Sequence, residues 1–287
     1  VTVLEVIQHS AGFLAKKGVD SPRLQVELLL AHLLQLPRMG LYLNFERALT
    51  PTELDQFREL IKRRAQHEPL QHLIGSACFC GLELAVNRNA LIPRPETELL
   101  AEVGWQFLNA QTPAASPLKA LDFGTGGGCL AIALAVKSPA ARVHAIDISE
   151  EALALARENA ARHKVGDRVL FFAGDGFAAL PEKIRFDLII SNPPYIPGAE
   201  IPALQPEVRD HDPRLALDGG PDGLDFYRRL AREAAPYLKP AGRIALEFGD
   251  GQADSLRQIF SQQNWIVEEV KPDYNQRLRI LVARPSE

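Results

Sequence analysis

Apolar residues recur at spacings of three and four from Leu4 to about Gln66, with Leu4, Ile7, Phe13 and Leu14 in one run and Leu24, Leu28, Leu29, Leu33 and Leu34 in another. Such spacing returns side chains to one face of a helix, so this stretch is predicted to be a small helical module. Ser21-Pro22 and Thr50-Pro51 each set a capping residue before a first-turn proline, so helices are expected to start there, the second supported by Glu53. Between about Ile74 and Ile92 the period falls to two. Cys78-Phe79-Cys80, then Gly81, then Leu82 to Val86 read as a hairpin, with Cys78 and Cys80 on one face and Gly81 in the turn.

After about Pro93 short apolar runs alternate with helical stretches, which predicts a mostly parallel sheet covered by helices on both faces. The expected strands are Ala120 to Phe123, Val143 to Ile148, Val169 to Ala173, Phe186 to Ser191, Arg243 to Phe248, Ile266 to Lys271 and Leu278 to Ala283. Helices are expected at Leu130 to Val136 and at Glu150 to His163, the latter capped by Ser149. The last two strands leave no room for a crossover helix and should pair antiparallel. Gln111 to Pro117 reads as a short loop. These changes of period divide the chain into a helical domain at 1–74, a hairpin linker at 75–93 and an α/β domain at 94–287.

A hydrophobic content of 46% over 287 residues is ample for two cores. No apolar stretch reaches the roughly 20 residues that cross a bilayer, and no signal-peptide pattern opens the sequence, so a cytoplasmic location is expected, away from membranes. Three cysteines, Cys78, Cys80 and Cys129, are too few for a disulfide framework and show no zinc-ligand spacing, so no metal is expected. A net charge of −4 gives no general reason to expect stable nucleic-acid binding.

Candidate chemistry begins at Asp122-Phe123-Gly124-Thr125-Gly126-Gly127-Gly128, a glycine-rich turn between a strand and a helix. A doubly wound sheet binds its nucleotide at such a turn, where glycines allow close approach of the backbone. Roughly 20 residues beyond the last of these glycines, Asp147 ends the next strand, where a carboxylate can accept hydrogen bonds from both ribose hydroxyls. A dinucleotide fingerprint is the competing reading, but Cys129 stands where that pattern wants Gly or Ala, and Asp122 would lie near a pyrophosphate. S-adenosylmethionine has no phosphate, and its cationic amino group and sulfonium suit an acidic loop entrance. Its carboxylate can sit at the helix N-terminus. Asp175 is then expected near the adenine, with Gly176 and Phe177 as the adjoining wall.

The strand Phe186 to Ser191 runs directly into Asn192-Pro193-Pro194-Tyr195. Two prolines stiffen the backbone, so the Pro193 carbonyl and the Asn192 side-chain oxygen can converge as two acceptors for one NH2 group. Holding both N–H bonds pins the nitrogen with its π face toward a sulfonium methyl, and Tyr195 can pack on the planar acceptor. Asn192, Pro193 and Tyr195 are the expected catalytic residues, Pro194 joins them in binding substrate, and Asn192 also borders the cofactor. Because positioning is the main barrier, no strong base is required, and a flat pH profile between about 7 and 9 is expected. By itself the tetrapeptide fits any flat NH2, whether a protein glutamine, including one in a ribosomal protein, or an N6-adenine.

With these motifs the chain closely resembles the HemK/PrmC family of protein-(glutamine-N5) methyltransferases that modify peptide chain release factors. The likeness extends to Arg63-Arg64, Glu68-Pro69-Leu70-Gln71, Gly75, the run from Leu91 through Pro93-Arg94-Pro95-Glu96-Thr97 to Glu98, and the stretch from Asp212 to Leu224. The resemblance implies a seven-stranded, Rossmann-like S-adenosylmethionine-dependent methyltransferase sheet behind an N-terminal helical domain that docks the substrate. The acceptor it implies is the glutamine of a Gly-Gly-Gln loop in a class 1 release factor. It also implies that the Ile92 to Glu98 junction helps shape the cleft, with Arg94 and Glu98 either pairing structurally or orienting cofactor. Gly127 stands where the family often has Thr or Ser, Gly176 where an aromatic can flank the adenine, His211 near a frequent Glu, and His72 for a frequent Tyr.

Overall fold

The computed structural model describes residues 1–111 and 117–286, so 112–116 of the expected loop lie outside the described residues. In chain order the helices and strands are α1 (Val3–Lys16), α2 (Pro22–Leu34), α3 (Arg38–Tyr42), α4 (Pro51–Ala65), α5 (Leu70–Ile74), β1 (Ser76–Phe79), β2 (Leu82–Ala85), α6 (Pro95–Ala110), β3 (Leu118–Phe123), α7 (Cys129–Lys137), β4 (Ala141–Asp147), α8 (Glu150–Arg162), β5 (Val169–Ala173), β6 (Phe186–Ser191), α9 (Pro206–Arg209), α10 (Asp225–Glu233), β7 (Leu238–Glu247), α11 (Ala253–Gln262), β8 (Trp265–Pro272) and β9 (Leu278–Pro285). They form two compact units, Val1–Ser76 with Gln205–His211, and Ala77–Leu204 with Asp212–Glu287.

In the helical unit α4 starts as its sequence predicts. Thr50 accepts from Glu53 N while the Glu53 carboxylate accepts from Thr50 N, a reciprocal capping box. A second box, Thr2 with Glu5, opens α1. Proline alone marks the start of α2, because Ser21 takes a left-handed conformation and makes no side-chain cap. The apolar stripe is also rotated from the expected one. Phe13 and Leu24 are exposed, while Val3, Val6, Ile7, Leu14, Val26, Leu29 and Leu30 fill the core with Leu41 and Phe57. One charge is buried with them. Glu27 accepts from Arg23, Arg38 and the Tyr42 hydroxyl at 2.8–3.0 Å, and these bonds hold its carboxyl below the usual range against the opposing pull of burial. Segment 205–211 belongs to this unit because Glu207 receives Arg64 at 2.7 Å and His67 at 3.1 Å.

The second unit opens on the hairpin. Its first strand stops at Phe79, and Cys80 and Gly81 form the turn, both at positive φ. Cys80 is therefore a half-buried turn residue and does not continue an alternation with the exposed Cys78.

Seven strands then assemble in the order β5-β4-β3-β6-β7-β9-β8, the first five parallel and β9 antiparallel to both neighbours. The seven expected strands all form. Their near-continuous apolar runs fit a sheet buried on both faces. Leu100, Leu108 and the apolar helix α7 pack on one face, and Leu230, Leu256 and Phe260 on the other. The order of strands reverses direction between β3 and β6, so their carboxyl ends open side by side into a crevice where ligands bind in sheets of this kind.

Candidate active site

Gly124 to Gly128 leave the end of β3, and neighbouring elements fix their path. Gly124 N and Thr125 N both donate to Ile146 O of β4 at 2.9 Å, and Gly126 N donates to Asp147 Oδ2 at 2.7 Å. Gly124 and Gly126 have φ of +74° and +54°; a Cβ on Gly124 would meet nothing within 4 Å and one on Gly126 only Ala90 Cβ at 3.9 Å, so this backbone forms an open cradle. Gly128, at φ +85°, caps α7 instead. A Cβ there would come within 3.0 Å of Ala156 Cβ, so its role is close packing of α7 on α8. The buried Asn159 ties the loop to the hairpin, since its side-chain NH2 donates to Gly127 O and Ala85 O and its oxygen accepts from Ala85 N.

A cavity of about 280 Å³ lies over this loop. Its walls include Gly124, Thr125, Gly126, Gly127, Asp147, Asp175, Gly176, Asn192 and Pro194 from the expected set. Asp147 directs its carboxylate at two backbone donors, Gly126 N and Ser149 N at 2.7 and 2.9 Å, which leaves a lone pair on each oxygen for a ligand.

Asp122, expected at the loop entrance, is instead buried beneath it. Its Oδ2 accepts from Thr125 Oγ1 at 2.6 Å and Ala131 N at 3.0 Å, bracing the turn from below. Oδ1 has no hydrogen-bond partner among the described residues, and burial pushes the carboxyl up to about 7. Phe177 also turns away from the cavity and into the core, stacking on Tyr237 with ring centroids 4.5 Å apart. Pro193 is buried behind the wall. Tyr195 packs its ring close to Gly249, and its carbonyl accepts from Gln252 Nε2 at 3.0 Å.

Four further residues define the site. Thr97, at the start of α6, accepts from Asn192 Nδ2 at 3.0 Å. Glu247, at the end of β7, is buried nearby. Arg229 of α10 lays its guanidinium over Gly176, so that a Cβ at 176 would lie 2.5 Å from Nη2, and it pairs with Asp175 at 2.5 Å. Arg94 lines the cavity while pairing with Asp212 at 2.6 Å, whereas Glu98 accepts from Cys80 N at 2.8 Å, so the two junction residues do not pair with each other. The unusual run at Ile92 to Glu98 is the sequence signal for Thr97. Glu247 and Arg229 have none, because an acidic strand end and an exposed-looking arginine pair are common.

Comparison with known proteins gives a consistent pattern. Residues 5–75 match the PrmC N-terminal domain and residues 101–208 the methyltransferase small domain. A release factor glutamine methyltransferase of Geobacter sulfurreducens is 48% identical over 91% of this chain and 89% of its own. The enzyme of that name from Chlorobaculum tepidum is 42% identical over 96% and 94%. Among solved structures, a methyltransferase from Pyrococcus furiosus shares the fold at a TM-score of 0.51 and 20% identity, covering 82% of this chain and 99% of that one.

Proposed function

The chain belongs to the release factor glutamine methyltransferase family, and from that premise we propose that it methylates the side-chain amide nitrogen (N5) of the glutamine in the Gly-Gly-Gln loop of class 1 peptide chain release factors. It is a methyltransferase whose cofactor is S-adenosylmethionine. The observation that carries the reading is the convergence of the glycine cradle, Asp147, Asn192 and Pro194 at the carboxyl ends of β3, β4 and β6. The cradle and the spare lone pairs of Asp147 fit this cofactor: the carboxylate suits the ribose hydroxyls, and the N-terminus of α7 suits the amino-acid carboxylate. Asp175 and Gly176, with Arg229 over them, border the adenine end.

When bound, S-adenosylmethionine supplies an electrophilic methyl group on its sulfonium. The chain's own residues hold the acceptor. Asn192 Oδ1 and the Pro193 carbonyl accept the two N–H bonds of the glutamine amide and fix its π face toward the methyl. Tyr195, packed on Gly249 and held by Gln252, keeps the tetrapeptide in place. An amide proton can leave to solvent late in the reaction, so turnover requires no strong base. Domain 1–74 docks the release factor, and stable nucleic-acid binding is not part of the function.

The test is incubation with methyl-labelled cofactor and a panel of release factors, ribosomal proteins and nucleic acids. Label in release factors, little changed by moderate salt, supports the reading. Label in nucleic acid, with activity falling steeply as salt rises, or in ribosomal proteins alone, overturns it.

A further inference from the structure

A primary amide presents an oxygen on one arm and an NH2 on the other, nearly alike in size, so packing alone does not decide which arm faces a ligand. The clamp proposed for Asn192 works only with the oxygen outward, since an outward NH2 would meet the NH2 of the acceptor donor to donor. Its own NH2 is turned inward, donating to Thr97 Oγ1 at 3.0 Å. A threonine hydroxyl can donate or accept, and so does not by itself enforce that choice.

Glu247 does. The β6–β7 register pairs Ser191 with Leu246, so the next residue on each strand brings Glu247 beside Asn192. Only 2% of Glu247 is exposed, and burial pushes its carboxyl up to about 7 against the smaller opposing pull of hydrogen bonds from Thr97 and Asn192, while its Oε2 has no hydrogen-bond partner among the described residues. Above about pH 7, where it is ionised, this carboxylate only accepts. A Thr97 hydroxyl that donates to the ionised Glu247 leaves its oxygen to accept, which is the arrangement in which the Asn192 NH2 faces inward. Burying a carboxylate is costly, and an amide or an apolar residue would fill the space at lower cost.

We propose that Thr97 and Glu247 are positioning residues that set the orientation of the Asn192 amide, so that its oxygen faces the acceptor nitrogen. The inference rests on the amide-clamp reading above. In Glu247→Gln the new amide can donate to Thr97, which frees the hydroxyl to donate to Asn192 Oδ1 and allows the flipped amide. Thr97→Val removes the acceptor while keeping the shape.

The experiment measures kcat and KM for a release factor, and the affinity for S-adenosylhomocysteine by calorimetry, on the full chain carrying Thr97→Val, Thr97→Ser, Glu247→Gln or Asn192→Ala, and on the Thr97→Val/Asn192→Ala pair. Thr97→Val and Glu247→Gln should each lower kcat about tenfold or more, the equivalent of one lost transition-state hydrogen bond, with KM and product affinity held. Thr97→Ser should recover most of the loss. Thr97→Val should add nothing once Asn192 is alanine, because it acts through that side chain. Full additivity in the pair would overturn the proposal, as would normal kcat in Thr97→Val and Glu247→Gln beside a slow Asn192→Ala. Normal turnover in Asn192→Ala would instead remove the amide clamp itself.

Discussion

Asp147 and Asp122 lie on neighbouring strands, yet their surroundings give them opposite work. Asp147 is partly exposed at the cavity with one backbone N–H on each oxygen, so a lone pair on each oxygen is left for the proposed ribose contact. Asp147→Ala should therefore weaken S-adenosylhomocysteine binding by about 1.5–3 kcal/mol, read by calorimetry, and an unchanged affinity would mean the ribose contact is misplaced. Asp122 is sealed under the loop with its carboxyl raised to about 7 from an ordinary 3.8. A folded-state pKa above the unfolded one means that the favourable, protonated contribution is complete below about 4 and is lost as pH rises through about 7. Asp122→Asn removes this dependence. Denaturant unfolding across that range should show the variant gaining on the native chain as pH rises, by up to a few kcal/mol, since each tenfold change in proton affinity is worth about 1.4 kcal/mol. A difference that stays constant with pH would contradict the burial account. The sequence made both aspartates legible as cofactor-site residues, Asp122 at the loop entrance and Asp147 at the end of the next strand. It did not separate them, because burial depends on how α7 closes over the strand end.

At the level of elements, the period of apolar residues located all seven strands of the large sheet, since a strand buried on both faces reads as one apolar run. Short elements were harder to place. Cys80 reads as a strand residue from alternation alone, but the turn takes it, at φ +52°. The turn is then tied to α6 by Glu98, which accepts from Cys80 N at 2.8 Å. Glu98→Ala should destabilise the chain by about 1–2 kcal/mol in denaturant unfolding, while Glu98→Gln, which keeps an acceptor, should cost less. Equal costs would mean the contact is incidental. The glycine loop and the tetrapeptide were legible because each combines a backbone requirement with a fixed place after a strand. Thr97 was legible only as a member of the Ile92 to Glu98 run, and Glu247 and Arg229 not at all, because what makes each of the three part of the site is a partner far away in sequence: Asn192 for Thr97 and Glu247, and Gly176 and Asp175 for Arg229.

On the scale of the molecule, a helical unit and a sheet unit each carry their own core. Segment 205–211 joins the helical unit through Glu207, a link across 143 residues of sequence that no local pattern signals. Among the described residues no helix is long and apolar enough to cross a membrane. If the helical unit docks the substrate protein, deleting residues before Ala77 should spare cofactor binding and impair methylation of an intact release factor far more than that of a short Gly-Gly-Gln peptide. Equal losses on both substrates would argue against docking. The account as a whole turns on one chemical outcome. A purified class 1 release factor, treated with the full chain and S-adenosylmethionine, should yield a digest in which fragment masses place a single methyl on the Gly-Gly-Gln glutamine, at its side-chain amide. A methyl group on any other residue, or a release factor left unmodified, would contradict it.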